Sequence, residues 1–229
     1  MSIKQRAINE EQKQTRRQII LDVALQLFQE ATYEAVSMAT VAEQAKLAKG
    51  TLYLYFKTKE ELFLALQTQA FERWFDEVDA GLRAMTQQPS PTAFVAFLAG
   101  TLSAHPALVR LIAILHTTLE YNIDFSAALH FKQMLLRRVG QTGPLLERQL
   151  PFLRPGEGAQ LLIHIHALVI GLQHMAEPAP LVRQVLEQAD LALFKIDFHR
   201  EFLSMLHTLL QGLAARTPGE NDGQDNFTR

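Results

Sequence analysis

Ser37-Met38-Ala39-Thr40-Val41-Ala42-Glu43-Gln44-Ala45-Lys46-Leu47-Ala48-Lys49-Gly50-Thr51-Leu52-Tyr53-Leu54-Tyr55-Phe56 reads as two short helices joined by a tight turn. Ser37 suits the N-cap of the first, where its hydroxyl takes an orphan backbone N–H. Met38, Val41, Ala42 and Ala45 recur at helical spacing and form its inward face. The chain then turns at Lys46 and Leu47. A second helix from about Ala48 sets Leu52 and Phe56, four residues apart, on its buried side.

That leaves Lys49, Thr51, Tyr53 and Tyr55 on the outside or flanks of the second helix. Cationic, hydroxyl-bearing and aromatic side chains on a short exposed helix suit close approach to a DNA backbone and to base edges. Gly50 removes bulk where the approach is tightest. The pattern is a helix-turn-helix signature.

From about Thr15 to Trp74 the sequence resembles the TetR (tetracycline-repressor-like) family of bacterial transcriptional regulators, most specifically at Lys49-Gly50-Thr51-Leu52-Tyr53-Leu54-Tyr55-Phe56-Lys57-Thr58-Lys59-Glu60-Glu61-Leu62. The resemblance implies phosphate contacts from Ser37, Tyr53, Tyr55 and Lys59. It places Thr40, Lys49, Gly50 and Thr51 nearest the bases and the helix start at Arg16 and Arg17 near the backbone. The chain departs from the family at the turn, where Lys46-Leu47-Ala48 stands for the usual Gly-Val-Ser. If the turn needs a left-handed residue, Lys46 costs on the order of 1 kcal/mol, and Ala48 forfeits a cap worth about 1 kcal/mol.

The 229 residues are 48% hydrophobic and 20% charged, an ordinary globular composition, and contain no cysteine, which excludes disulfides, thiolate metal sites and thiol nucleophiles. The opening Met-Ser-Ile-Lys-Gln-Arg has no apolar signal-peptide core, and the longest apolar run, Leu161 to Leu172, is interrupted by two histidines and too short for a membrane span. A cytoplasmic address with no membrane partner is expected. Residues 1–60 hold nine Lys/Arg and seven Asp/Glu, a net of +2, against thirteen and seventeen, a net of −4, in residues 61–229. The basic end is the helix-turn-helix end.

The rest reads as all-helical, with no period-2 alternation long enough for a strand. Residues 1 to about 11 are expected to be a frayed arm, with Lys4, Arg6 and Lys13 available to phosphates. Thr15 to Glu30 forms an amphipathic helix through Ile19, Ile20, Val23, Ala24, Leu27 and Phe28. Thr58 and Glu61 suggest a capping box opening a long helix that ends before Pro89. Further helices are expected over 91–103, 106–121, 124–141, 144–150, 155–175, about 181–192 and 196–216, with Pro144 kinking the helix from 124 to 150 or splitting it into the third and fourth of these. The expected domains are a DNA-binding head at 1–58, a ligand-binding and dimerisation domain at 59–216, and a disordered tail at 217–229.

The helices near 155–175 and 196–216 are apolar around most of their circumference. A homodimeric four-helix bundle would cover them, with Leu161, Ile165, Leu168 and Leu172 meeting Phe202, Met205, Leu209 and Leu213. Trp74, Phe94, Phe125, Phe131 and Met134 are candidates for an apolar effector cavity, and His116 with Glu120, four residues on, for its polar contact. His164 and His166 sit about 200° apart around a helix and cannot share one ion. No metal site, cofactor motif or catalytic constellation is present in the pattern of residues.

The sequence thus points to an all-α homodimeric regulator: a helix-turn-helix head, a long connecting helix, and a helical domain for an apolar small molecule. A repressor released from a pseudo-palindromic operator fits best. An activator with the same head, or a helical small-molecule binder that does not use DNA, remains open.

Overall fold

The computed structural model describes residues 3–216, so the tail expected to be disordered, 217–229, lies outside the described residues. Among the described residues ten α-helices follow in order: α1 (Ile3–Glu30), α2 (Met38–Gln44), α3 (Lys49–Tyr53), α4 (Lys59–Ala84), α5 (Pro91–Ala104), α6 (Pro106–Leu115), α7 (Phe125–Gln149), α8 (Glu157–Ala176), α9 (Pro180–Val185) and α10 (Phe198–Ala214). Short 3-10 turns occur at Leu119–Tyr121 and Ala189–Phe194, and no strand is found among the described residues. The all-α expectation holds. Two compact units emerge, one from residues through 76 together with 105–138, the other from 77–104 and from 139 onward. The α4 and α7 helices each run from one unit into the other.

In the first unit α1 packs on α2, α2 on α3, and α1 on α6. Ile20, Leu21, Ala24 and Phe28 of α1 are buried with Val41, Ala42, Leu52, Phe56, Leu62 and Phe63. Phe63 makes T-shaped contacts with two rings, Phe28 at 5.3 Å and Tyr33 at 4.8 Å between centroids. Such pairs add about 0.5–1.5 kcal/mol to what area burial supplies. Ile19, placed on the apolar stripe from its spacing, is instead 45% exposed, because the stripe is narrower than the run of apolar residues.

The second unit is built on α10, which packs against α5 and α8. Phe94, Leu98 and Leu102 of α5 meet a core that includes Leu161, Ile165, Val169, Phe202, Leu206 and Leu210. The α7 and α8 backbones touch where a Cβ on Gly158 would stand 2.2 Å from the Gly143 carbonyl oxygen, so only glycine fits there. Buried polar groups are tied down: Thr142 donates to Asp79 Oδ1 at 2.6 Å, and Gln149 Nε2 to the Leu82 carbonyl at 2.9 Å.

Several boundaries differ from the sequence-based ones. Helix α1 begins at Ile3, which replaces the expected frayed arm. Pro144 neither splits nor stops α7, which continues to Gln149. The residue whose carbonyl loses its partner, Gly140, is exposed, where water can replace the missing N–H. The helix from Pro106 ends at Leu115 instead of running to Tyr121. Helix α8 is, by length and composition, long and apolar enough to cross a membrane, although the 161–172 run read as too short. One side of it packs into the core against α10.

Candidate nucleic-acid interface

Ser37 caps α2 from an extended backbone, its Oγ accepting the Thr40 N–H at 3.1 Å. The two hydroxyls also share a hydrogen bond at 2.8 Å, so Ser37 and Thr40 stand as one polar pair at the start of α2. Met38, Val41 and Ala42 turn inward.

The end of α2 is a Schellman turn. Leu47 N–H bonds the Ala42 carbonyl at 2.9 Å and Lys46 N–H the Glu43 carbonyl at 3.0 Å. This geometry puts Lys46 at φ 54°, the left-handed region that glycine occupies at no cost. Ala48 then opens α3 with no side-chain cap. Both departures from the family's turn therefore carry their expected energetic consequence. Lys46→Gly is expected to raise the melting free energy by about 1 kcal/mol, and Ala48→Ser by about another 1 kcal/mol. Thermal unfolding of the two variants checks both values.

Leu52 and Phe56 anchor α3, the first fully buried and the second nearly so. On the other side Lys49 and Gly50 are exposed, Tyr53 is 42% exposed, and Thr51 and Tyr55 are half-buried. Leu54 projects beside them at 82% exposure. A Cβ on Gly50 would meet nothing within 4 Å, so no contact inside the chain calls for glycine. Gly50→Ala is accordingly expected to leave the fold intact and add about 0.5–1 kcal/mol of helix stability. Thermal denaturation tests this, and on the interface reading the same variant binds DNA less well.

The two basic ends behave differently. Arg16 is exposed, whereas Arg17 is half-buried over the Phe56 ring at 5.1 Å, and burial lowers its pKa. Arg17 has no carboxylate partner among the described residues. Lys59 is committed within the chain: its Nζ donates to the Tyr33 carbonyl and sits 3.9 Å from the Tyr33 ring centroid, and burial pulls its pKa down. The Tyr33 hydroxyl donates to Glu60 Oε1 at 2.9 Å, and burial first, then that carboxylate, push its pKa well above the usual phenol value. The side chains of Lys4 and Arg6 lie outside the described residues.

The start of α4 is capped as the spacing predicts. Thr58 Oγ1 accepts the Glu61 N–H at 3.0 Å, while Glu61 Oε2 accepts the Lys57 N–H at 2.8 Å. Thr58 also donates to the Asn122 carbonyl at 3.1 Å, and Asn122 Nδ2 to Glu60 Oε2 at 3.0 Å. Sequence reasoning missed this tie to the loop before α7. It also missed Arg110 of α6, whose guanidinium donates to the Phe28 carbonyl at 2.8 Å and the Ala31 carbonyl at 2.6 Å, closing the end of α1.

The candidate effector residues are scattered. Trp74, Phe131 and Met134 are buried in the first unit, and Phe94 is buried in the second. Phe125 is 82% exposed at the first turn of α7 and lines no interior. His116 and Glu120 do meet, at 2.8 Å, but Lys132 also donates to Glu120 at 2.7 Å, which makes a half-exposed ion cluster. Burial disfavours the Glu120 carboxylate, yet the bonds from Lys132 and His116 outweigh it and lower the pKa. No group of three metal-ligating side chains occurs among the described residues.

The dimerisation stripe needs correction. Leu161, Ile165, Leu172 and Phe202 are 1–6% exposed within the single chain, so the subunit core already uses them. Leu168, Leu209 and Leu213 are half-buried, and Met205 is 44% exposed. The outward face carries His164, Ala167 and Leu168 of α8 beside Ser204, Met205, Thr208 and Leu209 of α10, around a groove of about 570 Å³. The α8 helix is apolar on both sides, and hydrophobic periodicity alone does not say which side meets its own core.

Residues 20–66 match the family described as bacterial regulatory proteins, tetR family, and residues 68–217 match the tetracyclin repressor-like C-terminal domain. The HTH-type transcriptional repressor KstR of Mycolicibacterium smegmatis is 36% identical over 96 residues, 42% of this chain and 46% of KstR. The fatty acid metabolism regulator protein of Bacillus subtilis is 27% identical over 84 residues, 37% of this chain and 43% of that protein. The chain thus spans about half the length of the curated relatives it matches. A possible TetR family regulator from Streptomyces coelicolor superposes with a TM-score of 0.58 at 20% identity, covering 87% of this chain and 98% of that one. The fatty acid degradation regulator FadR from Bacillus halodurans gives 0.55 at 18% identity, covering 86% and 95%. These two structures share the fold. With both halves matched, the chain belongs to the tetR family of bacterial regulatory proteins.

Proposed function

We propose that the protein is a cytoplasmic, homodimeric repressor that leaves a pseudo-palindromic operator when an apolar small molecule binds its helical domain. The observation that carries the DNA reading is α3: polar, cationic and aromatic side chains face outward, and Gly50 has open space where a side chain would stand. Thr40, Lys49, Gly50 and Thr51 read base edges. Ser37, Tyr53, Tyr55, Arg16 and Arg17 hold phosphates, while Lys59 stiffens the start of α4. The head is taken as residues 1–58 and the effector and dimerisation domain as 59–216.

The KstR relatives carry the name repressor, which supports repression over activation. The outward face of α8 and α10 supports association of two copies, which sets two heads one DNA turn, roughly 34–36 Å, apart. The regulator FadR from Bacillus subtilis, a structural neighbour at a TM-score of 0.50 and 17% identity, was solved with stearoyl-CoA, and an acyl-type effector is proposed here by that analogy. Effector and operator bind antagonistically, each weakening the other by the same factor. Titrating stearoyl-CoA into a protein–operator complex tests this. Release at least tenfold easier with ligand is expected, and unchanged operator affinity at saturating ligand contradicts the acyl-effector reading.

A further inference from the structure

A groove of about 670 Å³ opens within the first unit between α1, the end of α3, and the first turns of α4 and α7. Its volume lies within the range of ordinary small-molecule sites. Leu21, Phe56, Leu64 and Phe131 give it walls that are only 1–3% exposed, while Tyr53 and the protruding Leu54 mark its open side. Of the residues read from the sequence as effector candidates, Phe131 lines this groove. The charged groups along it are nearly all committed. Lys57 pairs with Asp124 at 3.2 Å, and Asp124 also accepts the Ala127 N–H at 2.7 Å. Glu61 accepts the Lys57 N–H at 2.8 Å, and His130 Nδ1 donates to the Ser126 carbonyl at 2.6 Å. Arg17 is the exception: half-buried over the Phe56 ring, it meets no carboxylate among the described residues.

A cation partly stripped of water and left without a counter-ion favours an incoming anion. Two cations, Arg17 and Lys57, face two carboxylates, Glu61 and Asp124, so the wall has no net charge to draw a small anion from a distance. Most of the binding energy must then come from the apolar walls. We infer that this groove binds an acyl chain ending in an anionic group, the chain lying along Leu64 and Phe131 and the anion held by the Arg17 guanidinium. The guanidinium fork fits carboxylate and phosphate oxygens alike, so a free fatty carboxylate and the phosphates of an acyl-CoA offer it the same contact. Arg17, Tyr53 and Tyr55, all proposed above to hold DNA phosphates, line the groove. An occupant therefore takes contacts directly from the operator. The assignment rests on the proposed acyl-type effector, and deepens it by placing the ligand and naming the residue that holds its charged end.

The test is calorimetric titration of the full chain, without DNA, with decanoate, decanoyl-CoA, 1-decanol and acetate. One or both of the anionic decanoyl probes is expected to bind at least tenfold more tightly than decanol, and acetate not measurably. Tighter binding of decanoate assigns the free acid, and tighter binding of decanoyl-CoA the phosphates. In Arg17→Gln the preference over decanol shrinks to about twofold. Ala65→Phe, which fills the groove from α4, weakens the favoured probe at least tenfold and keeps ligand-free operator affinity within about twofold of wild type. Ala127→Leu, filling it from α7, serves as the second variant should Ala65→Phe fail to fold. Failure of both anionic probes to bind, acetate binding as tightly as decanoate, a preference that survives Arg17→Gln, or undiminished binding in the filled variants would overturn the assignment. Operator release by stearoyl-CoA that persists in the filled variants also overturns it, and leaves the proposed function standing. Groove binding that leaves operator affinity unchanged contradicts the release scheme and leaves the site standing.

Discussion

Thr51→Ala with Tyr53→Ala is expected to weaken operator binding by about two orders of magnitude while barely changing the unfolding temperature. Both side chains stand on the outer side or flank of α3, with Tyr53 42% exposed, while Leu52 between them holds the helix to the core. Exposed substitutions away from caps and networks usually shift stability by no more than about 0.5 kcal/mol. A base-edge contact contributes about 1–3 kcal/mol of discrimination, and a phosphate contact adds a salt-dependent share. Losing one of each costs about 3 kcal/mol, close to a hundredfold in Kd. Fluorescence anisotropy on operator DNA, with circular dichroism melts of the same preparations, separates the two effects. A double variant that melted as wild type and bound DNA equally well would remove α3 from the interface.

Arg110→Ala is expected to be the most destabilising change in the first unit outside its apolar core. The guanidinium forks onto two carbonyls at the end of α1 and stacks over the Phe28 ring at 4.3 Å. Those carbonyls belong to the last turn of α1 and the residue after it, where a helix has no intrahelical donors left to offer. A cation there also favours the negative end of the helix dipole. Hydrogen bonds from charged groups contribute about 1.5–3 kcal/mol each, and truncation leaves two carbonyls to find water, so a loss of about 3 kcal/mol is expected. For a protein of this size that lowers the melting temperature by roughly 8 °C. Arg110→Lys recovers little, because a single ammonium cannot fork onto both carbonyls. Hydrogen exchange locates the effect: amides from Phe28 to Val36 should exchange faster in Arg110→Ala, and unchanged protection there would show that the clamp is idle.

The head was legible in the sequence because its signals are local. The Ser37 cap, the inward spacing of Met38, Val41 and Ala42, the Leu52–Phe56 pair and the Thr58–Glu61 capping pattern each depend on residues within one or two turns, and each stands where the spacing placed it. The left-handed turn at Lys46 was legible for the same reason. Arg110 was not. Arg110 acts across about 80 residues of chain, on Phe28 and Ala31, and no local pattern marks it. The α8 and α10 stripes failed for a different reason. A helix apolar on two sides has two candidate cores, and choosing between them takes the partner helix, which composition does not name. Phe125 misled in a simpler way, since an aromatic residue at a helix start was read as interior when it faces outward.

The central claim is that α3 and the turn before it form a sequence-specific DNA interface. The most direct measurement is fluorescence anisotropy of the protein on DNA from upstream of its own gene, run against a scrambled duplex across a salt series. The account predicts tight binding to the native DNA alone, with log K falling by about 0.9 per log unit of salt for each phosphate contacted. Binding of equal strength to the native and scrambled duplexes, unaltered by Thr51→Ala with Tyr53→Ala, would contradict it.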